Sequence, residues 1–106
     1  MQKFKGKLYI SGCIYGKKIK EAKAEYKAAQ DIINAEGYIS ANPLTQFYYE
    51  NWDDKMLSDL KMLSRCTGIV QLEGWEDSVN GCIEHQFAEA MRLDFYTINN
   101  GKLEKQ

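Results

Sequence analysis

Hydrophobic positions along this chain alternate between two spacings. Residues 7–13, KLYISGC, are a short apolar run with a glycine near its end, which predicts a buried strand and a tight turn. Ile19, Ala22, Tyr26, Ala29 and Ile33 then recur every three or four residues. That is the period of an amphipathic helix over about residues 18–36, with Gly37 at its C′ position. Residues 38–41 predict a second short strand, cut off by Asn42-Pro43. Residues 44–51, LTQFYYEN, form an aromatic-rich loop without a readable period. A second helix over about 52–65 turns Met56, Leu57, Leu60 and Leu63 inward. TGIVQLEGW, residues 67–75, predicts a third strand, residues 80–92 a third helix, and DFYTI at 94–98 a fourth strand. The tail from about residue 99, NNGKLEKQ, is polar and is expected to fray.

Strand and helix alternate, with connections short enough for crossover units. The expected fold is therefore α/β: a small three-layer α/β/α sandwich on a flavodoxin-like parallel sheet of four to five strands, as one domain over residues 1–106. In such sheets ligands sit beyond the carboxyl ends of the strands, where the strand order reverses. Three segments converge there: GCIYGKK, NPLTQFYY and GWEDSVNG.

Two acids interrupt apolar helix faces at that crevice. Glu84 shares a stripe with Ala88 and Met91 near the start of the third helix, where the helix dipole favours an anion. It is either a helix-start glutamate or a carboxylate poised as nucleophile or base. Asp59 falls on a stripe with Met56 and Leu63, and two half-buried carboxylates over one crevice suit glycosidic-bond chemistry. A hydrogen-bonded structural pair is the alternative. The turn SGCIYGKK offers backbone amides, Gly12, Gly16, Lys17 and Lys18 at a helix head, which can hold a phosphate. It is neither GxxxxGK[ST] nor GxGxxG. Trp75 and Phe47-Tyr48-Tyr49 can stack a nucleobase or simply pack as lids.

Composition narrows the classes. Fourteen basic and fifteen acidic residues give a net charge of −1, which offers no electrostatic footprint for a nucleic acid polymer or an anionic membrane. No apolar run approaches the roughly 18 residues of a membrane span, and the N-terminus lacks the apolar core of a signal peptide. Cys13, Cys66 and Cys82 lack CxxC spacing and His85 is the single histidine, so reduced thiols, a cytoplasmic location, and neither metal nor cofactor are expected.

YISGCIYGKK, EGYISANP, MLSDLKMLSRC and GWEDSVNGCIEHQFAEA, in that order over roughly residues 7–98, resemble the nucleoside 2-deoxyribosyltransferase superfamily. The likeness is closest to the small deoxyribosyltransferase-like and 5′-deoxynucleotide N-hydrolase-like domains of bacteria and phages. The resemblance implies that Glu84 forms a glycosyl-enzyme, that Asp59 positions or protonates the base, and that Tyr9 orients the glutamate. It also implies that Ser78 and the turn through Gly12, Cys13, Ile14, Gly16 and Lys17 bind a 5′-phosphate. Asn80 stands where the family has a glycine, Tyr15 where the hydrolases have an arginine, Thr67 where the small relatives carry an aspartate, and Glu73 where they carry a proline.

The expected activity is therefore cleavage or transfer of the N-glycosidic bond of a (deoxy)nucleoside or its 5′-monophosphate, without metal. The alternatives are a non-catalytic nucleotide-binding module that senses or sequesters its ligand, and a structural domain that keeps the fold without one. The altered phosphate turn favours the binding module. The resemblance further implies a homodimer or higher oligomer.

Overall fold

The computed structural model describes residues 3–14, 16–45 and 51–106. Along these residues run β1 (Lys7–Ser11), α1 (Ile19–Ala35), β2 (Ile39–Ala41), α2 (Trp52–Leu63), β3 (Gly68–Gln71), α3 (Val79–Ala90), β4 (Asp94–Asn99) and β5 (Lys102–Lys105). Short 3₁₀ turns at Pro43–Thr45 and Trp75–Asp77 precede α2 and α3.

The strands form one sheet in the order β2-β1-β3-β4-β5. The first four are parallel, and β5 runs antiparallel to β4. β1 takes β2 on one side and β3 on the other, so the order reverses at β1 and a crevice opens beyond the carboxyl ends of β1 and β3. This is the flavodoxin-like α/β architecture that the periodicities predict.

Continuous apolar runs make the central strands, because both of their faces are covered. Leu8, Ile10 and Val70 meet Tyr26, Ala29 and Ile33 of α1 on one face. Tyr9 and Ile69 meet Leu63 of α2, Cys66 and Ala88 of α3 on the other. Each fully buried Leu, Ile or Val contributes about 1.5–3 kcal/mol, and this double layer is what holds the crevice walls in place.

The differences from expectation lie at the ends of elements. The third strand stops at Gln71, and the residues predicted to extend it through Trp75 turn into the 3₁₀ segment instead. Ile19 is only the first residue of α1, Met91 is the C-cap of α3, and Leu57 lies off the Met56–Asp59–Leu63 face, so all three are exposed. The polar tail does not fray. Asn100 and Gly101, with φ of 51° and 76°, make a two-residue turn whose twist suits a hairpin, and residues 102–105 pair with β4.

Candidate active site

Strand periodicity places Tyr9 and Ser11 on one face of β1, and α3 lies over that face. Both hydroxyls donate to Glu84. Tyr9 Oη is 2.6 Å from Oε2, and Ser11 Oγ is 2.6 Å from Oε1. Glu84 is 4% exposed and Tyr9 is fully buried, so this is a two-point clamp on a carboxylate removed from water. Burial pushes the Glu84 carboxyl up to about 7. The Ser11 and Tyr9 hydrogen bonds oppose that rise, neighbouring Asp59 adds to it, and Lys55 opposes it. Tyr9 is held well above the usual phenol range, first by burial and then by the Glu84 charge, so it stays a donor.

Asp59, 5% exposed on α2, is the second acid. Its Oδ1 is 2.6 Å from Nζ of Lys55, one helical turn earlier, and the same ammonium donates to the Pro43 carbonyl at 2.9 Å. Asn42 shapes that loop: its Oδ1 accepts from the Leu44 N–H, and its Nδ2 donates to Gln30. Glu84, Asp59, Lys55, Gly12, Tyr26 and Asn80 line a small inner cavity of about 40 Å³. An outer cleft of about 390 Å³ adjoins it, with Ile14 and Asn80 lining both and Trp52, Asp77, Ser78 and Val79 completing the wall. That outer volume falls within the range of small-molecule sites. Asn80 Oδ1 accepts from Trp52 Nε1 at 2.7 Å, which ties the N-termini of α2 and α3 together across the mouth.

The other residues singled out from the sequence are placed as follows. Ser78 is the N-cap of α3, and its Oγ accepts from the Gly81 N–H at 3.2 Å. Gly12 is buried and Cys13 half-buried just beyond β1. Gly16 is exposed with φ of 79°, and Lys17 Nζ lies 2.6 Å from Glu25. Trp75 does not line the inner cavity. Its ring stacks on His85, with centroids 4.5 Å apart and planes 11° apart, and His85 in turn meets Phe95 and Gln71. Tyr15 and the Phe47-Tyr48-Tyr49 cluster lie outside the described residues.

Four contributors escaped the sequence reading. Ser11 was detectable as the residue two beyond Tyr9, hence on the same strand face. Lys55 was detectable as the i−4 partner of Asp59. Tyr26 looked like any core aromatic on its helix stripe, yet it lines the cavity, and burial followed by the Glu84 charge raises its phenol. Gly81 sits in the first turn of α3, where an added Cβ would fall 2.4 Å from the Trp75 carbonyl oxygen. A lone glycine after Asn80 carried no such signal.

A 2-desoxiribosyltransferase from Leishmania mexicana has a similar structure, with a TM-score of 0.67 at 15% sequence identity over 87% of this chain. The matched part is 63% of that longer protein. At this identity the likeness is one of fold: the chain has a nucleoside 2-deoxyribosyltransferase-like fold. No curated protein matches the sequence. No helix among the described residues is long and apolar enough to cross a membrane. Residues 6–97, most of the chain and all of the elements that build the crevice, match the family model described as a domain of unknown function (DUF4406), and the chain belongs to that family.

Proposed function

We propose that this domain cleaves or transfers the N-glycosidic bond of a nucleoside or its 5′-monophosphate through a covalent glycosyl-enzyme on Glu84. The observation that carries this reading is a buried carboxylate gripped by two hydroxyls in a small inner cavity that adjoins an open cleft. Tyr9 and Ser11 fix both carboxylate oxygens, so Glu84 meets the anomeric carbon in one orientation. Asp59, paired with Lys55, supplies an acceptor toward the base. The fold shared with a deoxyribosyltransferase supports the substrate class. Self-association across the open cleft belongs to the same reading, as the resemblance implies.

Incubation with a panel of nucleosides and 5′-monophosphates, with free base followed by chromatography, tests the proposal. Base release is the expected result. Binding without release of base from any member identifies a nucleotide-binding module instead.

Two expectations follow from the geometry. Catalysis by a Glu84 carboxylate requires its ionised form, so kcat/KM should fall about tenfold per pH unit below pH 7, where Glu84 takes up its proton. Tyr9→Phe and Ser11→Ala each delete a donor to the charged form. Each should move that limb upward by roughly 1–2 pH units, the equivalent of a hydrogen bond to a charged group. A limb that stays put in both variants separates it from Glu84.

The second concerns the α3 N-terminus, where Ser78 and the following backbone line the outer cleft. A 5′-monophosphate should bind roughly tenfold more tightly than the matching nucleoside, as one charge-assisted hydrogen bond provides. Calorimetry on matched pairs decides it, and equal affinities remove the phosphate subsite.

A further inference from the structure

Cleaving an N-glycosidic bond leaves an electron pair on the departing nitrogen, and a poor leaving base needs a proton there. Asp59 is the residue to which the family resemblance assigns that task. Its carboxylate, however, lies 2.6 Å from the Lys55 ammonium, in an ion pair that equips it to accept hydrogen bonds. Lys55 is the proton-bearing member of the pair. An ammonium has three N–H donors. Among the described residues one meets Asp59 and one the Pro43 carbonyl, which leaves the third for a ligand. Lys55 also lines the inner cavity with Glu84, and its side chain is 27% exposed, so a ligand can reach it.

We infer that Lys55 is the general acid that protonates the departing base, with Asp59 and the Pro43 carbonyl aiming its ammonium. The inference rests on the N-glycosidic reading above and deepens it. In the first half-reaction a Glu84 oxygen bonds to C1′ as the C1′–N bond breaks. The bond's electron pair stays on the base, and one Lys55 proton passes to a nitrogen of that base. The base leaves neutral and Lys55 remains as an amine. In the second half-reaction water attacks C1′ and gives its proton to the Lys55 amine. The ester bond breaks, restoring the Glu84 carboxylate and the Lys55 ammonium.

Lys55→Arg separates the roles, because arginine keeps the charge and the pairing with Asp59 but does not release a proton near neutral pH. Turnover of unactivated nucleosides or nucleotides should fall roughly 100-fold or more, the usual contribution of general acid catalysis. The rate of the nitrophenol burst from a 4-nitrophenyl deoxyriboside, which reports the first half-reaction alone and whose leaving group needs no proton, should change little. Lys55→Ala provides an independent arm, since added methylammonium should restore its activity on the unactivated substrates only. Equal losses on both substrate classes, or no loss on either, overturn the proposal and leave Lys55 as a support for Asp59. Base release that is absent in the wild-type protein on every substrate overturns the N-glycosidic reading along with it.

Discussion

Glu84→Gln is expected to lower turnover by roughly 10⁴-fold or more, as loss of a covalent nucleophile does, while stabilising the folded chain above neutral pH. The second effect follows from the same burial as the first. The Glu84 carboxyl titrates near 7 in the folded protein against an ordinary value of 4.5, because burial disfavours its charge. The folded state therefore holds this proton more tightly than the unfolded one. Its stabilising effect is complete below about pH 4.5 and is lost as pH rises to 7. Above that, wild type carries the penalty of a buried charge, about 3 kcal/mol for a shift of this size. The amide has no charge to bury, so the variant should melt on the order of 10 °C higher at pH 8 and near wild type at pH 4. Thermal melts at the two pH values read the stability, and a 2-fluoro sugar analogue reads the chemistry. Mass spectrometry should find a sugar ester on the peptide containing Glu84 in wild type and none in the variant. Full turnover by the variant removes Glu84 as nucleophile, and equal melting at pH 8 contradicts a buried charge.

Gly81→Ala should have the largest effect on folding of any single methyl group near the site. Alanine is the better helix former by about 1 kcal/mol, so on an exposed helix the change would stabilise. Here its Cβ would lie 2.4 Å from the Trp75 carbonyl oxygen. That oxygen is backbone, and it accepts from the Ser78 N–H, so relief requires moving the turn that begins α3. Overpacking of this kind costs roughly 1–3 kcal/mol and more where backbone must shift. A net loss of about 2 kcal/mol is expected in urea denaturation, a large share of the stability of a small domain. Glu84 lies one turn further along α3, so turnover should fall about tenfold in the protein that remains folded. A neutral or stabilised variant would mean that the turn yields freely.

Much of this was legible in the residue order. The 3–4 spacing of Ala22, Tyr26, Ala29 and Ile33 and the apolar runs at β1 and β3 dictate crossover units, and the parallel pairing among strands β1 to β4 follows. Glu84 and Asp59 announced themselves as acids on apolar stripes, and both are buried. What stayed hidden depends on tertiary partners. Trp75 reads as a ligand platform until His85, ten residues on, is seen stacked upon it. Lys55 shows in the sequence only as the i−4 neighbour of Asp59, and its second contact exists because the loop after β2 brings the Pro43 carbonyl to it. The β4–β5 hairpin was missed for another reason. Its polar composition outweighed a local signal, Asn100-Gly101, that strand-turn chemistry would have recognised.

The two clamp hydroxyls come from alternate residues of β1, with Leu8 and Ile10 between and beside them on the opposite face. A slip of β1 by one residue would exchange the two sets. Leucine and isoleucine would then lie under Glu84, while a phenol and a serine hydroxyl would press into the apolar layer beneath α1. Such a misfolded chain could keep its helices and most of its strand pairing and yet hold no grip on the carboxylate. Recovered activity after refolding would therefore count correctly aligned central strands, where circular dichroism would count secondary structure alone.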